Sequence, residues 1–201
     1  MTKFLLIRHA TTDALGKSLS GRQPGIHLNE EGKAQAAALA SDLKNLHISA
    51  IYSSPIERAL ETAAPLAKIR QLQCVVDADF QELDFGSWTN QTFDKLHGDS
   101  AFSRFNSFRG GTRIPAGEMM LEAQCRIIRG MQKLAAKHPE KIVAIISHSD
   151  MIKAAIAFYT GMPIDMMQRL EISPASVSIM DLYDDFASLQ LLNKTPHLNL
   201  T

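Results

Sequence analysis

The stretch Phe4-Leu5-Leu6-Ile7-Arg8-His9-Ala10-Thr11-Thr12 decides how this chain is read. Four apolar residues in a row make a buried strand, and the polar turn that follows sets two basic side chains at its carboxyl end. The same pattern recurs twice. Tyr52-Ser53-Ser54-Pro55-Ile56-Glu57-Arg58 closes an apolar run at 48–52, and Ile146-Ser147-His148-Ser149-Asp150 closes another at 142–146. Between these runs lie longer segments with helical periodicity. Residues 29–46 start at a capping Asn29 and carry Ala36, Leu39, Ala40, Leu43 and Leu46 on one face. Residues 54–69 start at Ser54, with Pro55 at the first helical position. Residues 118–137 end before Pro139, and 151–159 end before Gly161 and Pro163.

Short strands at 72–76, 176–183 and 187–192 complete the pattern, the last two forming a hairpin around Asp184-Asp185. Strands alternating with helices predict an α/β fold, three layers α/β/α, on a mostly parallel, mixed sheet of about six strands. The fully apolar 142–146 belongs at its centre. Residues 1–201 read as one domain, with 88–117 as a small helical lid lobe. That lobe carries Phe93, Phe102, Phe105 and Phe108, and three arginines (Arg104, Arg109, Arg113) with no acid between Asp99 and Glu118. Two readings are open for it: a lobe packing its aromatics, or a basic, partly apolar lid that selects an anionic substrate.

The chain has 201 residues, 45% of them hydrophobic, so a sizeable core is available. Lys plus Arg is 21 and Asp plus Glu is 21, a formal net charge of zero, which argues against nucleic acid or an anionic membrane as partner. Cys74 and Cys125 sit in apolar stretches and form neither a disulfide framework nor a metal-ligand pattern. The first seven residues are too short an apolar run for a signal peptide or a span, so a soluble, cytoplasmic protein is expected.

In a parallel sheet the carboxyl ends of the strands face one side, which brings Arg8, His9, Arg58 and His148 to one rim. Two arginines and two helix N-termini make an anion site, and planar guanidinium forks suit a phosphoryl group. His9, His148 and Asp150 could instead hold a metal, but Arg8 and Arg58 would repel a divalent cation. A neutral imidazole among positive charges is better suited to act as nucleophile, because nearby cations disfavour its protonation.

With these residues in place, the chain resembles the histidine phosphatase superfamily, the phosphoglycerate-mutase-like branch, over essentially its whole length. The likeness is carried by Arg8-His9-Ala10-Thr11, by Gly21-Arg22 with 28–36, by 53–63, by Glu82-Leu83-Asp84-Phe85-Gly86-Ser87-Trp88, and by Ser147-His148. The resemblance implies that His9 is phosphorylated, that Arg8, Arg58 and His148 bind the phosphoryl oxygens, and that Glu82 is proton donor and later base. A glutamate beside Phe80, Phe85 and Trp88 can be desolvated enough to hold a proton near neutrality, with Asp84 as the alternative acid. Arg22 is assigned to the distal part of the substrate, and Ser149 offers its backbone N–H. No metal and no cofactor are implied, and the partner is a small-molecule phosphate ester.

Ala10 stands for the family's usual glycine, Thr11 for a common acid, Leu15 for an asparagine of the mutases, and Ser149 for a common glycine. Leu15 and the short chain favour hydrolysis over mutase transfer, and a non-catalytic phosphate-binding module is a third reading. His27, His47, His97, His138 and His197 are assigned no chemistry, and the oligomeric state is not read.

Overall fold

A computed structural model describes residues 1–196, so His197 lies outside the described residues. Six strands, β1 (Thr2–Arg8), β2 (Ile48–Ser53), β3 (Cys74–Val76), β4 (Ile142–Ser147), β5 (Val177–Leu182) and β6 (Ala187–Lys194), form one sheet. Their order is β3-β2-β4-β1-β5-β6. The first four are mutually parallel, and the hairpin β5–β6 adds antiparallel to β1. The turn of that hairpin is closed by Tyr183 N–H to the Phe186 carbonyl at 2.9 Å.

Alternate side chains of the apolar strands serve opposite layers. Leu5, Ile7, Ile51, Ala144 and Ile146 meet α1 (Glu30–Asp42) and α2 (Glu57–Arg70) through Leu39, Ala40, Ala63 and Leu66. Phe4, Leu6, Val143 and Ile145 share the larger core with α5 (Met120–Lys137) and α6 (Ser149–Tyr159) through Ile127, Met131, Leu134, Ile152 and Ile156. Each such Leu, Ile or Phe contributes about 2 kcal/mol by burial, so a polar substitution in β1 or β4 would act on both layers. Before α5 lie two short helices, α3 (Phe93–His97) and α4 (Ser100–Ser107). Among the described residues no helix is long and apolar enough to cross a membrane.

Several sequence expectations shift. α1 ends at Asp42, because Leu43 to Leu46 turn back toward β2. β3 is only three residues long, at the sheet edge, where Val75 and Val76 are exposed. Pro55 precedes α2, whose cap position is Ile56 with no side-chain bond, so Ser54 is not its cap.

The 88–117 segment also differs from a basic lid. Trp88 packs on Phe102 and Phe105, and its Nε1–H donates to Asp99 at 3.0 Å. Phe108 stays exposed. Arg109 is buried and ion-paired to Asp150 at 2.8 Å, while Arg113 pairs with Glu122. Two of the three arginines are therefore neutralised by acids from other segments.

Candidate active site

The carboxyl ends of β1, β2 and β4 converge as the sheet topology requires. His9 prolongs the β1–β4 ladder by one bond, its N–H donating to the Ser147 carbonyl at 2.9 Å. The next N–H, of Ala10, donates to Thr62 Oγ1 at 2.9 Å, and that hydroxyl donates to the Arg58 carbonyl one turn earlier in α2. Gly32 of α1 lies against the same loop. A Cβ there would meet the Thr11 carbonyl oxygen at 2.0 Å, so only glycine lets α1 approach.

The imidazole of His9 has a defined tautomer. Nδ1 lies 2.8 Å from the Ala10 carbonyl, which only accepts, so Nδ1 carries the proton and Nε2 holds a lone pair. Arg58 Nε–H donates to that lone pair at 3.2 Å. Burial, then Arg58 and Arg8, push the His9 pKa well below its ordinary value, so the ring is neutral near pH 7.

His148, fully buried, lies with its ring centroid 5.2 Å from that of His9. Arg58 Nη2 donates to its Nδ1 at 3.3 Å, which leaves Nε2–H to donate to Ser54 Oγ at 2.8 Å. Arg58 is 2% exposed, and its Nη2 also donates to the Gly21 carbonyl at 2.7 Å. Gly21 adopts φ +49°, in the left-handed region that favours glycine. Arg8 Nη1 donates to the Ile172 carbonyl at 2.6 Å. Two buried donors, Arg58 Nη1 and Arg8 Nε, have no hydrogen-bond partner among the described residues.

Glu82 reaches the same place from the far side of the sheet. Its Oε1 accepts from Leu83 N–H at 2.9 Å, and its Oε2 is 3.7 Å from His148 Nδ1. Burial, with repulsion from Asp150, raises its pKa to about 7 against the pull of Arg58 and Arg8. Asp150 itself is lowered: burial pushes it up, but Arg109, Lys153 and Gln168 together outweigh that. Asp84, the alternative acid, accepts from Gly86 N–H and does not line the cleft.

Arg8, His9, Arg58, Glu82, Ser149 and Asp150 line one cleft of about 180 Å³. A larger hollow of about 600 Å³ lies at the opposite, amino end of the parallel strands, lined by Thr2, Pro139 and Phe186, and contains none of these groups. Among the described residues no three metal-ligating side chains gather. Ser149 stands at the start of α6, where helix N–H groups favour an anion.

Arg22 is placed otherwise than expected. It does not line the cleft but sits behind Glu82, donating from Nε to the Glu82 carbonyl at 2.8 Å and from Nη2 to Glu118 at 2.9 Å. Glu118 also binds Arg126 and the Asp84 N–H, and Arg126 caps the carbonyls of Ala78, Asp79 and Gln81. This clamp on the Glu82 loop, and the support of His148 by Ser54, carry no local sequence signal.

The family model described as the histidine phosphatase superfamily (branch 1) matches residues 4–195. The chain is 34% identical over 202 residues to the bifunctional protein Rv2228c of Mycobacterium tuberculosis, covering 98% of this chain and 55% of that protein. It thus spans about half the length of the curated relatives it matches at that level. It is 26% identical over 205 residues to phosphoserine phosphatase 1 of Hydrogenobacter thermophilus, covering 98% and 95% of the two chains. The solved structure of phosphoserine phosphatase from Entamoeba histolytica in complex with 3-phosphoglyceric acid matches with a TM-score of 0.87 at 27% identity, over 97% of this chain and 98% of that one. On the family match and the shared architecture together, this chain belongs to the histidine phosphatase superfamily (branch 1).

Proposed function

We propose that this protein hydrolyses small-molecule phosphate monoesters through a phosphohistidine on His9, with Glu82 as proton donor. The observation that carries the reading is the pair of unpartnered donors, Arg58 Nη1 and Arg8 Nε, on the residues that share a cleft with the His9 Nε2 lone pair. The likeness to phosphoserine phosphatases of Hydrogenobacter thermophilus and Entamoeba histolytica adds to it.

Phosphoryl oxygens take up the arginine donors and the N–H groups of the first turn of α6. Arg58 then turns from His9 Nε2 to oxygen and frees the nucleophile. Nε2 attacks phosphorus, the bond to the ester oxygen breaks with its electron pair, and Glu82 transfers its proton to that oxygen. The Nδ1–H bond to Ala10 is kept throughout. Water then attacks the phosphohistidine while the Glu82 carboxylate takes its proton. The phosphorus–nitrogen bond breaks and neutral His9 returns. The surrounding cations stabilise charge on the equatorial oxygens, and no step calls for a metal or cofactor.

Incubation with a radiolabelled phosphomonoester, quenched in alkali, tests this. Label on His9, and loss of both label and phosphate release in His9→Ala, are expected. Release that persists in His9→Ala overturns it. Isomerised 3-phosphoglycerate without release selects mutase transfer, and binding without turnover selects a non-catalytic module.

A further inference from the structure

The cleft lining is of two kinds. Beside Arg8, Arg58, His9 and the start of α6 it is made by Leu15, Leu19, Phe85 and Phe93, with three hydroxyl side chains among them. Leu15 is a large apolar side chain left 42% exposed. The apolar part is held in place. Leu19 N–H donates to the Gln91 carbonyl at 2.9 Å, Asn90 N–H to the Leu19 carbonyl at 2.8 Å, and Phe93 N–H to the Lys17 carbonyl at 3.2 Å.

Charge in the cleft is uneven as well. Among the described residues Arg8 and Arg58 are the only cations lining it, and both are assigned to the phosphoryl group. Arg22 is engaged by Asp84, Glu118 and the Glu82 carbonyl, and Arg109 by Asp150 and Asn106. Two carboxyl groups, Glu82 and Asp150, do line the cleft. A leaving group bearing its own carboxylate would lose hydration against the apolar side chains, with no cation lining the cleft beyond Arg8 and Arg58 to receive it. A neutral carbon skeleton would meet the same side chains favourably.

We infer that this site selects phosphate esters of neutral alcohols with apolar carbon skeletons and disfavours leaving groups that carry a second anion. The inference rests on the hydrolase reading above and adds a substrate class to it.

Glycerol 3-phosphate and 3-phosphoglycerate form a matched pair of primary alcohol esters, differing in a hydroxymethyl against a carboxylate. The full chain should show kcat/KM for glycerol 3-phosphate at least about tenfold above 3-phosphoglycerate, with n-butyl phosphate higher still. Leu15→Arg, at an exposed position, should narrow the gap between the matched pair severalfold by supplying the absent cation. 3-Phosphoglycerate turned over as well as or better than glycerol 3-phosphate overturns the inference and leaves the hydrolase reading standing. An unchanged ratio in Leu15→Arg overturns it as well. If neither these esters nor p-nitrophenyl phosphate is hydrolysed, the hydrolase reading fails and takes this inference with it.

Discussion

The Nε–H of Arg58 donates to Nε2 of His9 at 3.2 Å, so the guanidinium rests on the lone pair that would attack phosphorus. After burial, this guanidinium is the next cause of the lowered His9 pKa, and its bond to Nε2 fits the tautomer with the proton on Nδ1.

Arg58→Ala should lower kcat/KM by about 100- to 1,000-fold, as for loss of a preorganised donor in other acyl- and phosphoryl-transfer sites. The His9 pKa should rise toward its ordinary value, moving the acid limb of the rate profile upward. Arg22→Ala should lose about tenfold, mostly in kcat, because Arg22 positions the Glu82 backbone instead of touching substrate. Steady-state kinetics of both variants check this, and equal losses would contradict the division.

Glu82 must be protonated to assist the leaving group, and its pKa stands at about 7. The rate for an alkyl phosphate should therefore fall as pH rises past that value, and Glu82→Gln should remove the limb. The variant should lose about 100-fold or more on alkyl esters and much less on p-nitrophenyl phosphate, whose leaving group needs no proton. Parallel losses on both esters would remove Glu82 from the role.

The same shift affects stability. The folded protein holds a proton on Glu82 up to about pH 7 that the unfolded chain releases near its ordinary 4.5. Stability is therefore lost as pH rises through this window, by on the order of 3 kcal/mol. Glu82→Gln does not titrate there, so its urea midpoint should overtake the parent at pH 8 and show no such gain at pH 4.5. Denaturation at the two pH values reads the difference.

Ser54 Oγ accepts the His148 Nε2–H inside the core. Ser54→Ala should cost about 1 to 3 kcal/mol and free His148 to reorient, lowering kcat about tenfold. Thermal unfolding and kinetics together separate the two effects.

Removal of metal by EDTA should leave the rate unchanged, since in the proposed mechanism guanidinium groups and helix N–H groups supply the positive charge. Strong inhibition that added divalent cation reverses would reject the mechanism.

The alternation of apolar runs and amphipathic segments made the layers and sheet readable, because β1 and β4 bury both faces and leave no other pattern open. The positions of His9, Arg58 and His148 were legible for the same reason: each follows on the end of a parallel strand or lies in the first turn of the next helix. That His148, expected on the phosphoryl oxygens, is fully buried outside the cleft lining with its ring nitrogens bonded to Arg58 and Ser54 was not. Glu82 was legible only through the likeness of 82–88 to a known motif, since its desolvation depends on packing against distant segments. Ser54 was read as a helix cap because hydroxyl-then-proline looks the same whether the oxygen serves a helix or an imidazole. The basic-lid reading of 88–117 stayed open beside the packed lobe because Asp150 and Glu122, the partners of Arg109 and Arg113, lie outside that segment.

By itself the sequence determined which residues arrive at the carboxyl rim, since strand direction and the apolar period are local properties of the chain. Only the tertiary structure decided what state those residues are in. Burial and fixed neighbours hold His9 neutral, keep a proton on Glu82 and draw Arg22 behind the loop, and such effects depend on distances across the fold that no local pattern encodes.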